Sequence, residues 1–222
     1  MSLRICRAFK NPSSNSLSMK RKTSVWGAED KATKEYLKKA EIRGRWLNLA
    51  AGDGRYNSLL LKKADHVVAT DKDEDALARL RASAPQKYEG KLETKVLDAT
   101  QKFPYADNSF DGVFCTGALH LFPTKVFRRI AEEIGRVVKP RGKVVIDFAT
   151  DVKRILPNGS SYTVEGEPQY ALTEAKKLIR DVFKNYELRM QESEAPEENI
   201  EEAGRKYKFS CRFILVEAVK KK

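Results

Sequence analysis

Cysteine is scarce in this chain: Cys6, Cys115 and Cys211 stand far apart, odd in number and without any Cys-x-x-Cys spacing. Neither a disulfide framework nor a zinc knuckle is encoded, and a reducing, cytoplasmic setting is the expectation. No apolar run approaches the roughly 20 residues that a membrane span needs, so no membrane partner is expected. The first 22 residues contain no acid and no apolar h-region of the kind found in secretory signals. No carboxylate-rich cluster with metal-ligand spacing is evident, and no metal is expected.

What is present is charge. The 222 residues carry a formal net charge of +12, with 41% hydrophobic and 33% charged residues, the composition of a globular protein. Residues 1–45 hold 12 Lys/Arg against 4 Asp/Glu, so most of the excess is N-terminal. A basic, flexible arm is expected over residues 1–24, followed by one domain over 25–222. Such an arm suits phosphate backbones, which keeps nucleic acid open as a partner, although basic termini also serve as solvated tails.

Strand and helix signals alternate along the rest. A helix is expected over 28–43, ended by Gly44, with apolar Ala32, Tyr36, Leu37 and Ala40 at helical spacing. Strands follow at 45–50, 67–71, 92–97, 110–116 and 142–149, with helices at 55–63, 74–83 and 123–136. That alternation implies a parallel α/β sheet with right-handed crossovers. Pro157, Gly159, Gly166 and Pro168 mark a loop over 150–171, expected to face the substrate. A helix at 172–184 precedes strands near 186–192 and 206–219, and the short acidic connection 193–204 favours an antiparallel pair at the sheet edge.

The segment Trp46-Leu-Asn-Leu-Ala-Ala-Gly-Asp-Gly-Arg55 is an apolar strand that breaks into a glycine turn, and one strand later Val67-Val-Ala-Thr-Asp71 ends on an acid. A glycine turn lets backbone amides approach a ligand, and an acid at the next strand end can hold a ribose diol. No third glycine follows Gly54, and Asp53 would oppose a pyrophosphate. A ligand without phosphates fits better than a dinucleotide.

With three further segments this one resembles a class I S-adenosylmethionine-dependent methyltransferase, of the type 11 subgroup that includes ubiquinone and menaquinone C-methyltransferases. Those segments are Thr70-Asp71, Leu97-Asp98-Ala99, and Phe103-Pro-Tyr-Ala-Asp-Asn-Ser-Phe-Asp-Gly-Val-Phe-Cys-Thr-Gly-Ala-Leu-His-Leu-Phe122. Ile134-Gly-Arg-Val-Val-Lys-Pro-Arg-Gly-Lys-Val-Val-Ile146 extends the match, which spans roughly residues 45–150. The resemblance implies a Rossmann-like, three-layer αβα fold on a seven-stranded sheet of order 3-2-1-4-5-7-6, strand 7 antiparallel. It also implies S-adenosyl-L-methionine as cofactor and a small-molecule methyl acceptor.

Carried over by position, the cofactor-binding residues would be Asn48, Ala50, Gly52, Gly54, Asp71, Lys72, Asp98, Ala99, Thr116 and Gly117. Asp71 would take the ribose hydroxyls, its alternative being an N-cap for helix 74–83, which Asp73 could also provide. Asp98 would accept from the adenine amino group, or serve as a turn Asp. His120, just past the fourth strand, is the candidate catalytic base, or a side chain packing on Leu119, Leu121 and Phe122. Trp26 and Tyr56 are candidates to line the site or to pack, and Tyr162 and Tyr170, in the 150–171 loop, to face the substrate or to be surface tyrosines.

Three positions depart from the family pattern. An acid is usual where Asn48 stands, and glycine is usual where Ala50 and Arg141 stand. The chain lacks an Asn/Asp-Pro-Pro-Tyr/Phe tetrapeptide after the fourth strand, and has no Pro-Cys or Thr-Cys pair. Amino methylation by that tetrapeptide and pyrimidine C5 methylation are therefore disfavoured. The alternatives to a small-molecule enzyme are an RNA methyltransferase using the basic arm and a non-catalytic binding module of the same fold.

Overall fold

Trp46 to Leu49 have almost no contact with solvent, and a strand buried on both faces must have neighbours on both edges. This is strand β1 (Arg45–Leu49), at the centre of the sheet in a computed structural model that describes residues 31–202 and 204–222. The basic arm, Trp26 and the beginning of the expected first helix lie outside the described residues.

On one side of β1 lie β2 (His66–Asp71) and β3 (Leu92–Val96); on the other lie β4 (Phe110–Cys115) and β5 (Val138–Ile155), all parallel. Two long strands close the sheet, β8 (Arg205–Lys220) antiparallel to β5 and β6 (Tyr186–Glu194) antiparallel to β8. The order β3-β2-β1-β4-β5-β8-β6 is the one expected, with β8 in the seventh place. Helices α1 (Lys31–Lys39), α2 (Asn57–Leu61), α3 (Glu74–Ser83), α4 (Thr124–Val137) and α5 (Leu172–Val182) cover the two faces.

Two expectations are corrected at the far end of the sheet. The loop expected over 150–171 begins only after Ile155, because β5 continues through a bulge between Thr150 and Lys153 and pairs onward with Lys208–Ser210. Asp151, at φ 50, absorbs the extra residue, as a bulge requires. The acidic connection 193–204 is also mostly strand. The 16-residue β8 outruns β6, and the free edge at Arg205–Phe209 is filled by an eighth strand, β7 (Glu198–Glu202). Pro196 separates β6 from β7, which is why the segment reads as a turn.

The larger core lies between the sheet and α4 and α5. Phe127, Ile130, Ala131, Ile134 and Val137 of α4 are buried at helical spacing against Val113, Val144, Ile146 and Phe148. On the opposite face α1 and α2 pack Leu37, Leu60 and Leu61 around Trp46, Phe114, Val145 and Leu215. Close packing fixes Gly112: a Cβ there would stand 2.5 Å from the Trp46 ring of the next strand. Tyr36 of α1 donates a hydrogen bond to Glu217 on β8, tying that helix across the sheet.

Two of the resembling segments are bound to each other. Arg136 near the end of α4 donates to the carbonyls of Phe103 (3.0 Å) and Tyr105 (2.8 Å) and to Asp107 (2.8 Å). Glu133, one turn earlier, accepts from the Phe103 N–H at 2.7 Å and holds the same guanidinium. The run Phe103–Phe110 is thus pinned to α4 by a planar fork of donors.

Candidate active site

The carboxyl ends of β2, β1 and β4 lie side by side against the middle of β5, and counting on from the last paired residues brings Asp71, Ala50, Thr116 and Asp147 level with one another. In open α/β sheets ligands bind outside such carboxyl ends, where the order of strands reverses. Here the reversal falls between β1 and β4.

The glycine turn is built from backbone at positive φ: Ala50 at 52, Gly52 at 53 and Gly54 at 87. Ala51 N–H donates to the Thr70 carbonyl at 2.8 Å, and Gly54 N–H returns to the Ala51 carbonyl at 3.0 Å. Gly54 also needs its lack of a side chain, since a Cβ would stand 2.8 Å from Leu80. Ala50 occupies a left-handed conformation that costs an L-residue roughly 1–2 kcal/mol, which gives the family's usual glycine there a physical reason.

Asp71 is joined to this turn. Its Oδ2 accepts from the Gly52 N–H at 2.8 Å and its Oδ1 from the Asp73 N–H at 3.0 Å. The helix-cap duty falls to Asp73, which accepts from Asp75 and Ala76 at 2.9 and 3.1 Å. Asp71 therefore stands half-buried at the strand end, with lone pairs beyond those used by the loop. Lys72 beside it is exposed.

Asn48 is 4% exposed and its Nδ2 donates to Oδ1 of Asn57 at 3.3 Å. Sequence reasoning missed Asn57, which is buried at the start of α2. The bond pairs one donor of Asn48 with the acceptor of Asn57 and leaves the floor of the turn without formal charge at this position.

Asp98 is exposed, and its Oδ1 accepts from the Thr100 amide and hydroxyl at 2.8 and 2.7 Å. It is a turn Asp that follows Leu97, whose N–H donates to the Asp71 carbonyl at 2.9 Å. Ala99 packs half-buried against the larger core.

Past β4, Thr116 is half-buried and Gly117 exposed, the latter at φ 69. Among the described residues, chain neighbours aside, nothing lies within 4 Å of where a Cβ would stand at Gly52 or at Gly117. The backbone on both sides of the crossover point is thus open to a ligand. Gly117 N–H donates to Oδ1 of Asp147 at 2.6 Å, a carboxylate only 3% exposed in the middle of β5. Asp147 was not anticipated, yet an acid inside the apolar run Val144-Val-Ile-Asp-Phe-Ala149 is a signal that could have found it.

His120 lies in a 3-10 turn, Leu119–Leu121, at 2% exposure and edge-to-face with Phe148 at 6.1 Å. Burial first, and then the nearby Arg154 charge, push its pKa from 6.5 down to about 3. Such an imidazole is neutral near pH 7 and a weak proton acceptor. The packing alternative describes its surroundings, though its neighbour is Phe148 rather than only the flanking residues.

The aromatic candidates are mostly structural. Tyr56 is buried against Phe114, with ring centroids 5.9 Å apart. Tyr162 stacks obliquely on Tyr207 at 5.8 Å beneath the Arg205 guanidinium. Tyr170 donates to the Phe122 carbonyl at 2.7 Å and pins the end of the 156–171 segment beside the start of α4. Under that segment Arg154 and Glu167 form a buried pair at 2.9 Å, also unforeseen.

A family model described as a methyltransferase domain matches residues 47–146, from β1 through the ordered acids to β5. Over residues 47–146 the chain is similar to that methyltransferase domain family. The methyl donor of that family is S-adenosylmethionine.

A demethylmenaquinone methyltransferase of Clavibacter sepedonicus is 36% identical over 109 residues, 48% of this chain and 42% of that protein. An uncharacterized methyltransferase of Mycobacterium tuberculosis is 31% identical over 111 residues, 50% of this chain and 42% of its own length. The match thus spans 42% of the length of these curated relatives. The crystal structure of an S-adenosylmethionine-dependent methyltransferase from Methanosarcina mazei shares the fold, with TM-score 0.59 and 18% identity over 86% of this chain and 98% of that one. Among the described residues no group of three or more His, Cys, Asp or Glu side chains is placed to hold a metal ion. No helix among them is long and apolar enough to cross a membrane.

Proposed function

We propose that this methyltransferase domain binds S-adenosylmethionine and methylates an oxygen, nitrogen or carbon nucleophile of a small molecule in the cytoplasm. The observation that carries this reading is the Asp71 carboxylate fastened to the Gly52 amide, beside backbone left open at Gly52 and Gly117. When bound, the cofactor supplies a methyl group on a sulfonium, already a strong electrophile.

The chain's own task is mainly placement, and positioning can supply much of a barrier reduction. Asp71 receives the ribose hydroxyls, and its bond to Gly52 keeps the carboxylate and the turn in fixed relation. Asp98 and Ala99 take the adenine edge through a carboxylate oxygen and a backbone amide. Thr116 and Gly117 line the opposite wall, with Ala50, Gly54, Asn48 and Lys72 shaping the turn and its rim. His120, held neutral, forms part of the acceptor wall; the base role expected for it is not carried forward, because a pKa of about 3 leaves it little driving force as a base.

Titration calorimetry with S-adenosylmethionine and S-adenosylhomocysteine, paired with labelled-methyl transfer into metabolites and into total RNA, tests the proposal. Binding with transfer to metabolites supports it. Transfer to RNA alone would replace the acceptor, binding without transfer would favour the non-catalytic module, and no binding would overturn the reading.

A further inference from the structure

Two buried amides lie beneath the glycine turn. Asn48, on β1, is 4% exposed and Asn57, at the start of α2, is 3% exposed. A Cβ at Gly54 would stand 3.3 Å from the Asn57 Cβ, which sets Asn57 directly against the backbone of the turn. The bond between the two amides runs from Asn48 Nδ2 to Asn57 Oδ1. A primary amide has an acceptor oxygen besides its donors, so the Asn48 Oδ1 is not used by this bond. That oxygen accepts from no other side chain or amide among the described residues, and it is not sealed from solvent. An acceptor so nearly buried is costly to leave without a donor.

The order of the strands says which part of the cofactor reaches it. Asp98 follows β3, Asp71 ends β2, and β1 is the next strand in the sheet. In S-adenosylmethionine the ribose joins adenine on one side to the amino-acid chain on the other. Adenine at Asp98 and ribose at Asp71 therefore send that chain toward β1 and β4. At its end stand a carboxylate, which only accepts, and an ammonium, which only donates. The ammonium is the group that Asn48 Oδ1 can hold. An unrestrained asparagine turns either its oxygen or its NH2 to a ligand, and the NH2 would oppose an ammonium. Asn57 Oδ1 removes the choice, because it takes only the Nδ2 side of Asn48.

Resting on the proposed cofactor site, we propose that Asn57 is a positioning residue that holds the Asn48 amide with its oxygen toward the ammonium of the bound cofactor. A neutral side chain then anchors the amino-acid end. The methyl donor and its demethylated product share that ammonium and gain alike.

The test compares S-adenosylhomocysteine with 5′-methylthioadenosine, which keeps adenine, ribose and sulfur but has a methyl group in place of the amino-acid chain. Both are titrated calorimetrically into the full chain, Asn57→Leu and Asn57→Asp. Asn57→Leu removes the acceptor and should weaken S-adenosylhomocysteine about tenfold, with 5′-methylthioadenosine changed less than about twofold. Asn57→Asp keeps an acceptor for Asn48 Nδ2 and should hold S-adenosylhomocysteine within about threefold of wild type. Asn48→Leu, an independent arm should Asn57→Leu not fold, should show the same selective loss. Equal weakening of both ligands would mark a merely structural role and overturn the proposal. No change in either ligand, or an Asn57→Asp variant as weak as Asn57→Leu, would overturn it too. Failure of the wild type to bind either compound would instead defeat the underlying cofactor reading.

Discussion

Ala50 and Arg141 are the two positions where a side chain stands in a left-handed conformation and the resembling family has glycine, with φ of 52 and 63. Removing the side chain relieves steric cost but frees the unfolded chain, so the two effects partly offset. Ala50→Gly and Arg141→Gly should each stabilise the protein by about 0.5–1 kcal/mol, read as a rise of roughly 1–4 °C in melting temperature. An unchanged or lowered melting point in both would contradict the strain. His120 offers a second test at this scale. Its folded pKa of about 3 lies below the ordinary 6.5, so the unfolded chain binds one more proton between those values. Stability owed to neutral His120 is fully present above about pH 6.5 and lost as pH falls toward 3. Replacing it, as in His120→Leu, should flatten the acid limb of the stability curve by up to about 1.4 kcal/mol per pH unit, seen in denaturant titrations across that range.

At the scale of elements, the clamp between α4 and Phe103–Phe110 deserves the largest mutational effect outside the core. Arg136→Ala strands Glu133 and two carbonyls, at a cost of roughly 2–4 kcal/mol in chemical denaturation, and Arg136→Lys should recover only part, lacking the planar fork. Equal stability of the lysine variant and wild type would show that charge alone suffices. The elements themselves were largely legible, for local reasons. Buried parallel strands are short apolar runs, and α4 has unbroken helical spacing. What escaped was set by partners far along the chain. β7 exists because β8 outruns β6, and no property of Glu198–Glu202 alone reveals that. The Asn48–Asn57 pair, the Arg136 fork and the Arg154–Glu167 pair are likewise contacts made only after the chain has closed. The turn geometry at Gly52, Gly54 and Gly117 and the strand-end place of Asp71 were readable, because turns and strand-end acids leave marks in sequence. His120 was left between a base and a packing side chain because burial and Arg154, which lower its pKa, have no local signature.

On the scale of the whole molecule, the fold separates two regions. The parallel half is matched by the methyltransferase family over residues 47–146 and carries Asp71, Ala50 and Thr116, with Asp147 one residue past the match. The rest extends β5 and β8 past these residues and adds β7 and the 156–171 segment, around a small core of Ile200, Tyr207, Phe209 and Phe213. The matched half and these added strands thus meet along β5. The central claim is that the carboxyl edge of the sheet binds the methyl donor through Asp71. It is tested most directly by calorimetric titration of S-adenosylhomocysteine into wild type and Asp71→Ala at matched folding. A micromolar-range affinity that falls at least tenfold in the variant is the predicted result; equal affinity in both, or no binding to wild type, would contradict it.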